Sequence, residues 1–217
     1  MHQIVELFKE LINPEWIINH GGFYLVILII FAETGLFVGF FLPGDSLLFV
    51  TGVYSSLISD SLGGMPLIVI MLLIAIAGVA GNYVGYWFGR KSGPLLFSRK
   101  DTFFFKKKHL YQAREFFEKH GGGAIFLARF LPIVRTFAPI VAGIVQMERK
   151  RFMMFNVLGS FAWVFSMILA GYYLDKSFPT LKNHLDIIIV LLVLITTLPV
   201  IIKFVFGKTK TPPGNPS

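Results

Sequence analysis

The chain has 217 residues, of which 55% are apolar and only 15% are charged. Soluble domains are about 45 to 50% apolar and about 25% charged, so this composition excludes an ordinary soluble protein and indicates an integral membrane protein. The net charge of +8 does not indicate nucleic-acid binding, because the basic residues crowd into loops beside apolar runs, as in the cytoplasmic flanks of membrane proteins.

The first predicted element is an amphipathic surface helix within residues 1–20. Ile4, Phe8 and Leu11 alternate there with charged residues at a roughly 3.6-residue period, which is typical of a helix that lies on a membrane surface. This helix is too short and too charged to span the bilayer.

A first broken apolar segment covers residues 21–58. It is apolar up to position 42 except for Glu33, and Pro43, Gly44 and Asp45 then interrupt it before the apolar sequence resumes. Pro and Gly break helices, and a break exposed to lipid would leave backbone groups unsatisfied. We therefore predict a re-entrant helical hairpin that faces protein or a water-filled cavity.

Residues 66–89 and 152–174 carry no charge and are predicted to be transmembrane helices. At about 1.5 Å per residue, both are long enough to cross a hydrocarbon core of about 30 Å. A third span is predicted over residues 187–206, where Lys203 can snorkel to the interface, and a tail over residues 207–217 follows it.

A basic, Phe-rich loop with a surface helix around Phe116 is predicted over residues 90–120. Together with the turn at 148–151 and the residues after 202, this loop holds most of the 20 Lys and Arg residues. The positive-inside rule therefore places these three regions in the cytoplasm and the N-terminal helix outside. If the first hairpin spans the membrane instead, the N terminus lies inside.

A second broken segment covers residues 121–145. It is apolar except for Arg129 and Arg135, and it contains Pro132 and Pro139. Two prolines and two arginines this close together would leave freed carbonyl groups and buried charge that lipid cannot satisfy. We predict a second re-entrant hairpin here.

The two broken segments share the tripeptide Phe-Leu-Pro, at 41–43 and at 130–132, and each precedes an uncharged span that carries a Gly-polar pair. These pairs are Gly81-Asn82 and Gly159-Ser160. Because one span separates the two copies, the second copy enters from the opposite face. The predicted fold is an all-α integral membrane protein with two re-entrant helical hairpins in an inverted repeat that meet near the midplane, about three transmembrane helices and amphipathic surface helices.

Four ionisable residues lie at hairpin depth, namely Glu33, Asp45, Arg129 and Arg135. Each costs roughly 2.5 to 3.5 kcal/mol at the centre of a membrane helix, so the four must be paired, hydrated or used. In one interpretation they only neutralise each other as salt bridges that fix the meeting point of the hairpins. In the interpretation that we favour, the arginines bind a phosphate or pyrophosphate through their planar guanidinium groups, and the carboxylates take up and release protons.

Gly81, Gly85 and Gly89 repeat every four residues along one helix face, which indicates close helix packing rather than a ligand site. No metal site and no cofactor are predicted, because the chain has no Cys and its five His show no i, i+4 pair. An enzyme is disfavoured because no His stands beside an apolar hairpin to act as a nucleophile and no D-x-x-x-D run offers metal ligands.

Glu33 with the FLPGDSLL string, the LARFLPIVRTFAPIVAG string and the Gly-rich span resemble the DedA family of bacterial inner-membrane proteins, which share a domain with eukaryotic VTT-domain lipid scramblases. The resemblance covers about residues 20–175, and we take residues 21–175 as the transport domain. It implies a multi-pass transporter that depends on the proton-motive force, with members implicated in returning undecaprenyl phosphate across the cytoplasmic membrane. Carried over by position, the family's essential acidic residues fall on Glu33 and Asp45, and its essential basic residues on Arg129 and Arg135.

We therefore expect a flippase or scramblase of a lipid phosphate, undecaprenyl phosphate above all, and no enzyme activity. The expected partners are membrane lipids, the polyprenyl phosphate and protons, and nucleic acid is not expected. A homo-oligomer is compatible with the sequence. One alternative that stays open is a proton or cation antiporter that uses the same four charges without a lipid. A membrane enzyme that acts on lipid phosphates is a further, less favoured alternative.

Overall fold

The computed structural model describes residues 16–35, 44–98, 107–178 and 187–188. Within these ranges the protein is almost entirely helical and contains no β-strand. A π-helical turn at Ile17–Gly21 precedes eight α-helices there, which are α1 (Gly22–Gly35), α2 (Gly44–Val53), α3 (Ser55–Ser61), α4 (Leu67–Ser98), α5 (Lys107–His120), α6 (Gly123–Ala128), α7 (Pro132–Ile144) and α8 (Arg149–Ser177). Several predicted features lie outside the described residues. They are most of the surface helix over 1–20, Pro43, nearly all of the span over 187–206 and the tail over 207–217.

Two of the described helices, α4 and α8, are long and apolar enough to cross a membrane. Their apolar stretches are Leu67–Leu95 and Arg149–Ser177. Each contains 29 residues, which is roughly 44 Å at about 1.5 Å per residue. The helices of the broken segments are shorter. α1 and α2 have 14 and 10 residues, and α6 and α7 have 6 and 13 residues. Even α1, at roughly 21 Å, is shorter than a hydrocarbon core of about 30 Å.

Helix α4 continues beyond the predicted span. The prediction ended this span at position 89 and placed a loop over 90–120, whereas α4 runs to Ser98 and α5 occupies the second half of the predicted loop. Arg90 carries the first charge after the apolar stretch, but the helix does not end there. The turn between α7 and α8 forms hydrogen bonds with Arg90. Gln146 Nε2 donates to the Arg90 carbonyl at 2.8 Å, and Arg90 Nη1 donates to the Met147 carbonyl at 3.0 Å.

Two of the predicted hairpin breaks lie at the beginnings of helices. Gly44 is the first residue of α2, and Pro132 is the first residue of α7, where a missing N–H group leaves no hydrogen bond unmade. Pro139 was also predicted to be a break, and this prediction was wrong, because Pro139 lies inside α7. Proline removes one backbone hydrogen bond from the helix, but the helix continues because Pro139 packs against α4. Pro139 is buried beside Gly85 of that helix.

The long helices exchange partners between the two broken segments. Helix α4 packs against α1 from the first segment and α7 from the second, whereas α8 packs against α2 from the first and α6 from the second. Each long helix therefore contacts one helix of each broken segment. The same pattern results when the two halves of the chain are exchanged, as expected for an inverted repeat.

Reciprocal glycines bring the backbones of these helices together. A side chain at Gly52 of α2 would overlap the backbone of α8 at Ile168, and a side chain at Gly171 of α8 would overlap the backbone of α2. Gly143 of α7 and Gly89 of α4 form the corresponding pair between the other two helices. Small residues permit this close approach, which is how membrane helices gain van der Waals contact without help from the hydrophobic effect.

Two apolar clusters lie on either side of a polar middle. The first joins α1, α2 and α3 to the N-terminal half of α4 and the C-terminal half of α8, and the second joins α5, α6 and α7 to the opposite halves of the long helices. Residues 78–82 of α4 and 156–160 of α8 lie between the clusters. These stretches carry the buried polar side chains of Asn82, Asn156 and Ser160. A polar site therefore lies at the middle of both membrane-length helices.

Replacement of a reciprocal glycine should destabilise the protein. Gly52→Ala and Gly143→Ala each place a methyl group against the backbone of a long helix, and overpacking typically costs about 1 to 3 kcal/mol. Both variants should melt several degrees below the wild type in detergent, as measured by differential scanning fluorimetry. Gly123→Ala is the matched control, because a side chain there meets no atom within 4 Å. Equal melting temperatures for all three variants would contradict the close backbone contact.

The predicted re-entrant arrangement can be tested with single cysteines, because the chain has none of its own. The side chains of His20, Asp60, His120 and Gln146 are all exposed. Cysteines at positions 20 and 60 should react with a membrane-impermeant maleimide from one face, and cysteines at 120 and 146 from the other. Labelling of positions 20 and 60 from opposite faces would show that the first broken segment spans the membrane, and the inverted repeat would then fail.

Candidate functional site

The four charged residues predicted from the sequence meet at the ends of the short helices. Glu33 lies in the last turn of α1 and Asp45 in the first turn of α2, whereas Arg129 directly follows α6 and Arg135 lies in the first turn of α7. All four are buried, with exposed fractions of 1%, 8%, 2% and 6%. The breaks in the two apolar segments thus bring every one of these charges into a single site that is closed to solvent.

Arg135 joins the two broken segments through two ion pairs. Its Nη2 donates to Glu33 Oε1, and its Nη1 donates to Asp45 Oδ1. One guanidinium group therefore holds two carboxylates that lie 102 and 90 positions away along the chain. Removal of one partner from a buried ion pair typically costs about 3 to 5 kcal/mol, because the remaining charge is left uncompensated.

Gly44 leaves room for the side chain of Glu33 at the first break. Any side chain at this position would overlap the carboxyl group of Glu33. Glu33 therefore lies directly against the N-terminal residue of α2, where the helix macrodipole favours a negative charge.

Arg129 lies among neutral groups instead of carboxylates. Its Nη2 donates to the Gly78 carbonyl at 3.2 Å, to Asn156 Oδ1 at 3.4 Å and to the Ser160 hydroxyl. Within the described part of the chain, both ion pairs that involve Glu33 and Asp45 are made by Arg135. One interpretation of the sequence was that the two carboxylates and the two arginines form salt bridges with each other. This interpretation describes Arg135 but not Arg129.

Asn82 connects the cage around Arg129 to the first broken segment. Its amide is satisfied when the side-chain oxygen accepts from Arg129 Nε at 3.2 Å and the NH2 group donates to the Thr34 carbonyl at 3.1 Å. The amide NH2 group of Asn156 donates to the Val79 carbonyl of α4 at 3.1 Å. Polar groups of both long helices therefore hold Arg129 in place.

Trp163 of α8 touches three of the four charged residues. Its indole Nε1 donates to Asp45 Oδ1 at 2.7 Å, and the centre of its ring lies 4.8 Å from the Arg135 guanidinium carbon and 5.4 Å from that of Arg129. Trp163 is completely buried. An aromatic ring attracts guanidinium groups through its quadrupole, and this attraction is larger in a desolvated site.

Two polar atoms of the site have no hydrogen-bond partner among the described residues, namely Glu33 Oε2 and Arg135 Nε. A buried donor without an acceptor costs about 1 to 3 kcal/mol. An anionic oxygen beside Arg135 Nε would satisfy this donor, and Glu33 Oε2 can hold a proton without disturbing the contact of Oε1 with Arg135. The site thus has the chemical capacity to bind an anion and to exchange a proton.

The glycines singled out from the sequence mark the surface of α4 where two short helices converge. Side chains at Gly81 would overlap Thr34 of α1, side chains at Gly89 would overlap Ile140 of α7, and Gly85 lies near both helices. Trp163 and Asn156 also belong to the site, although they were not predicted from the sequence. Their signal was the position of a buried Asn and an indole N–H inside an otherwise apolar span.

The chain is similar to known proteins over most of its length. Residues 42–173 match the family model of the VTT domain. The chain is 43% identical to Protein DedA of Escherichia coli strain K12 over 184 residues, which cover 85% of this chain and 82% of that protein. It is 35% identical to the inner membrane protein YqjA of the same strain over 201 residues, which cover 92% of this chain and 86% of that protein.

A further relative is an uncharacterized membrane protein of Mycobacterium tuberculosis strain H37Rv, with 35% identity over 212 residues that cover 94% of this chain and 90% of that protein. No solved structure matches the chain. The matched VTT domain contains Asp45, both arginines, the whole of α4 and α8 as far as position 173. The chain therefore belongs to the DedA family, and it is a membrane protein of the bacterial inner membrane.

Proposed function

We propose that this protein translocates a lipid phosphate, undecaprenyl phosphate above all, across the cytoplasmic membrane in a cycle that depends on the proton-motive force. The observation that carries the proposal is the buried guanidinium group of Arg135, which holds two carboxylates at the middle of the membrane-length helices. A guanidinium group binds a phosphate with the same paired N–H donors that it offers to carboxylates. Substrate and carboxylates would therefore compete for Arg135.

Protonation decides this competition. When Glu33 and Asp45 are ionised, both Nη atoms of Arg135 are occupied and the four charges of the site sum to zero. A phosphomonoester brings a charge of about −1.5 to −2 at neutral pH, so its entry without protons would leave excess negative charge in a low-dielectric site. Uptake of one or two protons by the carboxylates restores neutrality and releases the donors of Arg135.

Arg129 would supply a second, permanently positioned cation. Its neutral partners on α4 and α8 hold its guanidinium group without cancelling its charge. An entering phosphate would therefore meet one arginine that a proton releases and one that is already available. No covalent bond of the lipid is broken in this cycle, so the proposal is transport and not catalysis.

Reconstitution into vesicles with a labelled polyprenyl phosphate tests the proposed function. We expect exchange of the label between leaflets, and this exchange should accelerate when a pH gradient is imposed. A change in luminal pH without lipid exchange would identify the antiporter alternative. Release of inorganic phosphate from the lipid would identify an enzyme.

The arginines should not tolerate lysine. Arg135→Lys and Arg129→Lys keep the positive charge but lose the paired donors, so each should lower lipid exchange at least about tenfold, which corresponds to one lost hydrogen bond to a charged group. The rate is measured in vesicles and normalised to folded protein. Arg149→Lys, at an exposed position on α8, is the control and should exchange at the wild-type rate. Wild-type rates for both site variants would refute recognition by paired donors.

The carboxylates should control the response to pH. Glu33→Gln and Asp45→Asn mimic the protonated side chains, so the folded fraction of each variant should lose most of the acceleration by a pH gradient. Exposed Glu115 on α5 provides the control Glu115→Gln, which should respond like the wild type. A purely structural role predicts a different result, in which abundance and melting temperature fall and the remaining folded protein responds normally.

A further inference from the structure

We propose that Trp163 is a substrate-positioning residue, whose indole N–H group passes from Asp45 to an oxygen of the bound phosphate while its ring supports both guanidinium groups. This inference rests on the proposed function, because it assigns a residue of that site a role in holding the phosphate. Trp163 would recognise the anionic headgroup and not the lipid chain.

The contacts of Asp45 motivate the proposal. Asp45 Oδ1 accepts from Trp163 Nε1 at 2.7 Å and also accepts from Arg135. These two donors converge on a single carboxylate oxygen, although Trp163 belongs to α8 and Arg135 to α7. When Asp45 takes up a proton and Arg135 turns to a phosphate, the indole N–H group loses its anionic acceptor as well. A protonated carboxyl group is a weaker acceptor than a carboxylate, so an anionic oxygen of the same phosphate is the natural replacement.

The ring of Trp163 provides the second half of the argument. Its centre lies within 5.4 Å of both guanidinium carbons, and its side chain is completely buried. Two like-charged guanidinium groups repel each other, and a shared aromatic surface offsets part of this repulsion. Trp163 can thus keep Arg129 and Arg135 close enough to act on one headgroup.

Asn82 has a related position on the other long helix, since it connects Arg129 of the second broken segment to Thr34 of the first. Its contact in the first segment is a backbone carbonyl group, which does not take up a proton during transport. The contact of Trp163 is an ionisable carboxylate. This difference selects Trp163 as the residue whose partner changes during transport.

The variant Trp163→Phe separates positioning from packing, because Phe keeps an aromatic ring and removes only the donor and part of the volume. We expect the KM for the polyprenyl phosphate to rise about tenfold or more, as for one lost hydrogen bond to a charged group, with a smaller change in the maximal rate. Trp87→Phe is the matched control, because Trp87 lies on α4 with 48% of its surface exposed. The control should keep the wild-type KM.

A second measurement keeps the native Trp163 and uses it as a fluorescence probe. With Trp16 and Trp87 both replaced by Phe, Trp163 is the remaining tryptophan of the three in the chain. Titration with farnesyl phosphate, a short polyprenyl phosphate, should change its fluorescence in a saturable way, and farnesol without the phosphate should leave it unchanged. Addition of Arg135→Lys should shift this titration to higher concentrations.

The outcomes distinguish this inference from the proposed function. If the wild type exchanges the lipid and Trp163→Phe keeps the wild-type KM, the role of Trp163 is refuted and the proposed function stands. A lower melting temperature with an unchanged KM would assign Trp163 a purely structural role and would also refute the inference. If the wild type neither exchanges the lipid nor responds to farnesyl phosphate, both proposals fail.

Discussion

The contact of Arg135 with Glu33 and Asp45 determines how the remaining structure has to be arranged. Ions taken out of water lose several kcal/mol each, and a buried site recovers this loss only where opposite charges meet in good geometry. Glu33 and Asp45 belong to the first broken segment and Arg135 to the second, so the contact fixes the two segments against each other. It also gives a reason for the breaks, because the ends of α1 and α2 bring two carboxylates to one guanidinium group, and Gly44 leaves room for Glu33 in this position.

The long helices α4 and α8 act as a frame around this contact. Each packs against one helix from each broken segment, and reciprocal glycines allow the backbones to touch. At mid-length each also contributes one side chain that reaches both segments, Asn82 from α4 and Trp163 from α8. Close contact at the glycines and hydrogen bonds at the centre thus serve different purposes. The glycines set the distance between helices, and the polar side chains set which ends of the short helices meet.

Much of this arrangement follows from local sequence features. Uncharged stretches indicated α4 and α8, Pro and Gly indicated the breaks before α2 and α7, and the cost of buried charge singled out the four ionisable residues. The errors arose where tertiary contacts outweigh local signals. Arg90 did not end α4 because the turn after α7 binds it, and Pro139 did not break α7 because α4 covers it. Likewise the pairing of both carboxylates with Arg135, and of Arg129 with neutral groups, depends on side-chain geometry that no spacing rule contains.

The long separation within the ion triad has a consequence for biogenesis. Glu33 and Asp45 precede Arg135 by 102 and 90 residues, so they leave the ribosome well before their partner exists. At about 5 to 20 residues per second, this interval lasts roughly 5 to 20 seconds. During that time the first broken segment cannot rest in lipid as an ionised, unpaired element without the full cost of buried charge. Its carboxyl groups must stay protonated or remain beside water or the insertion machinery, so the first half of the protein becomes a stable membrane element only when the second half arrives.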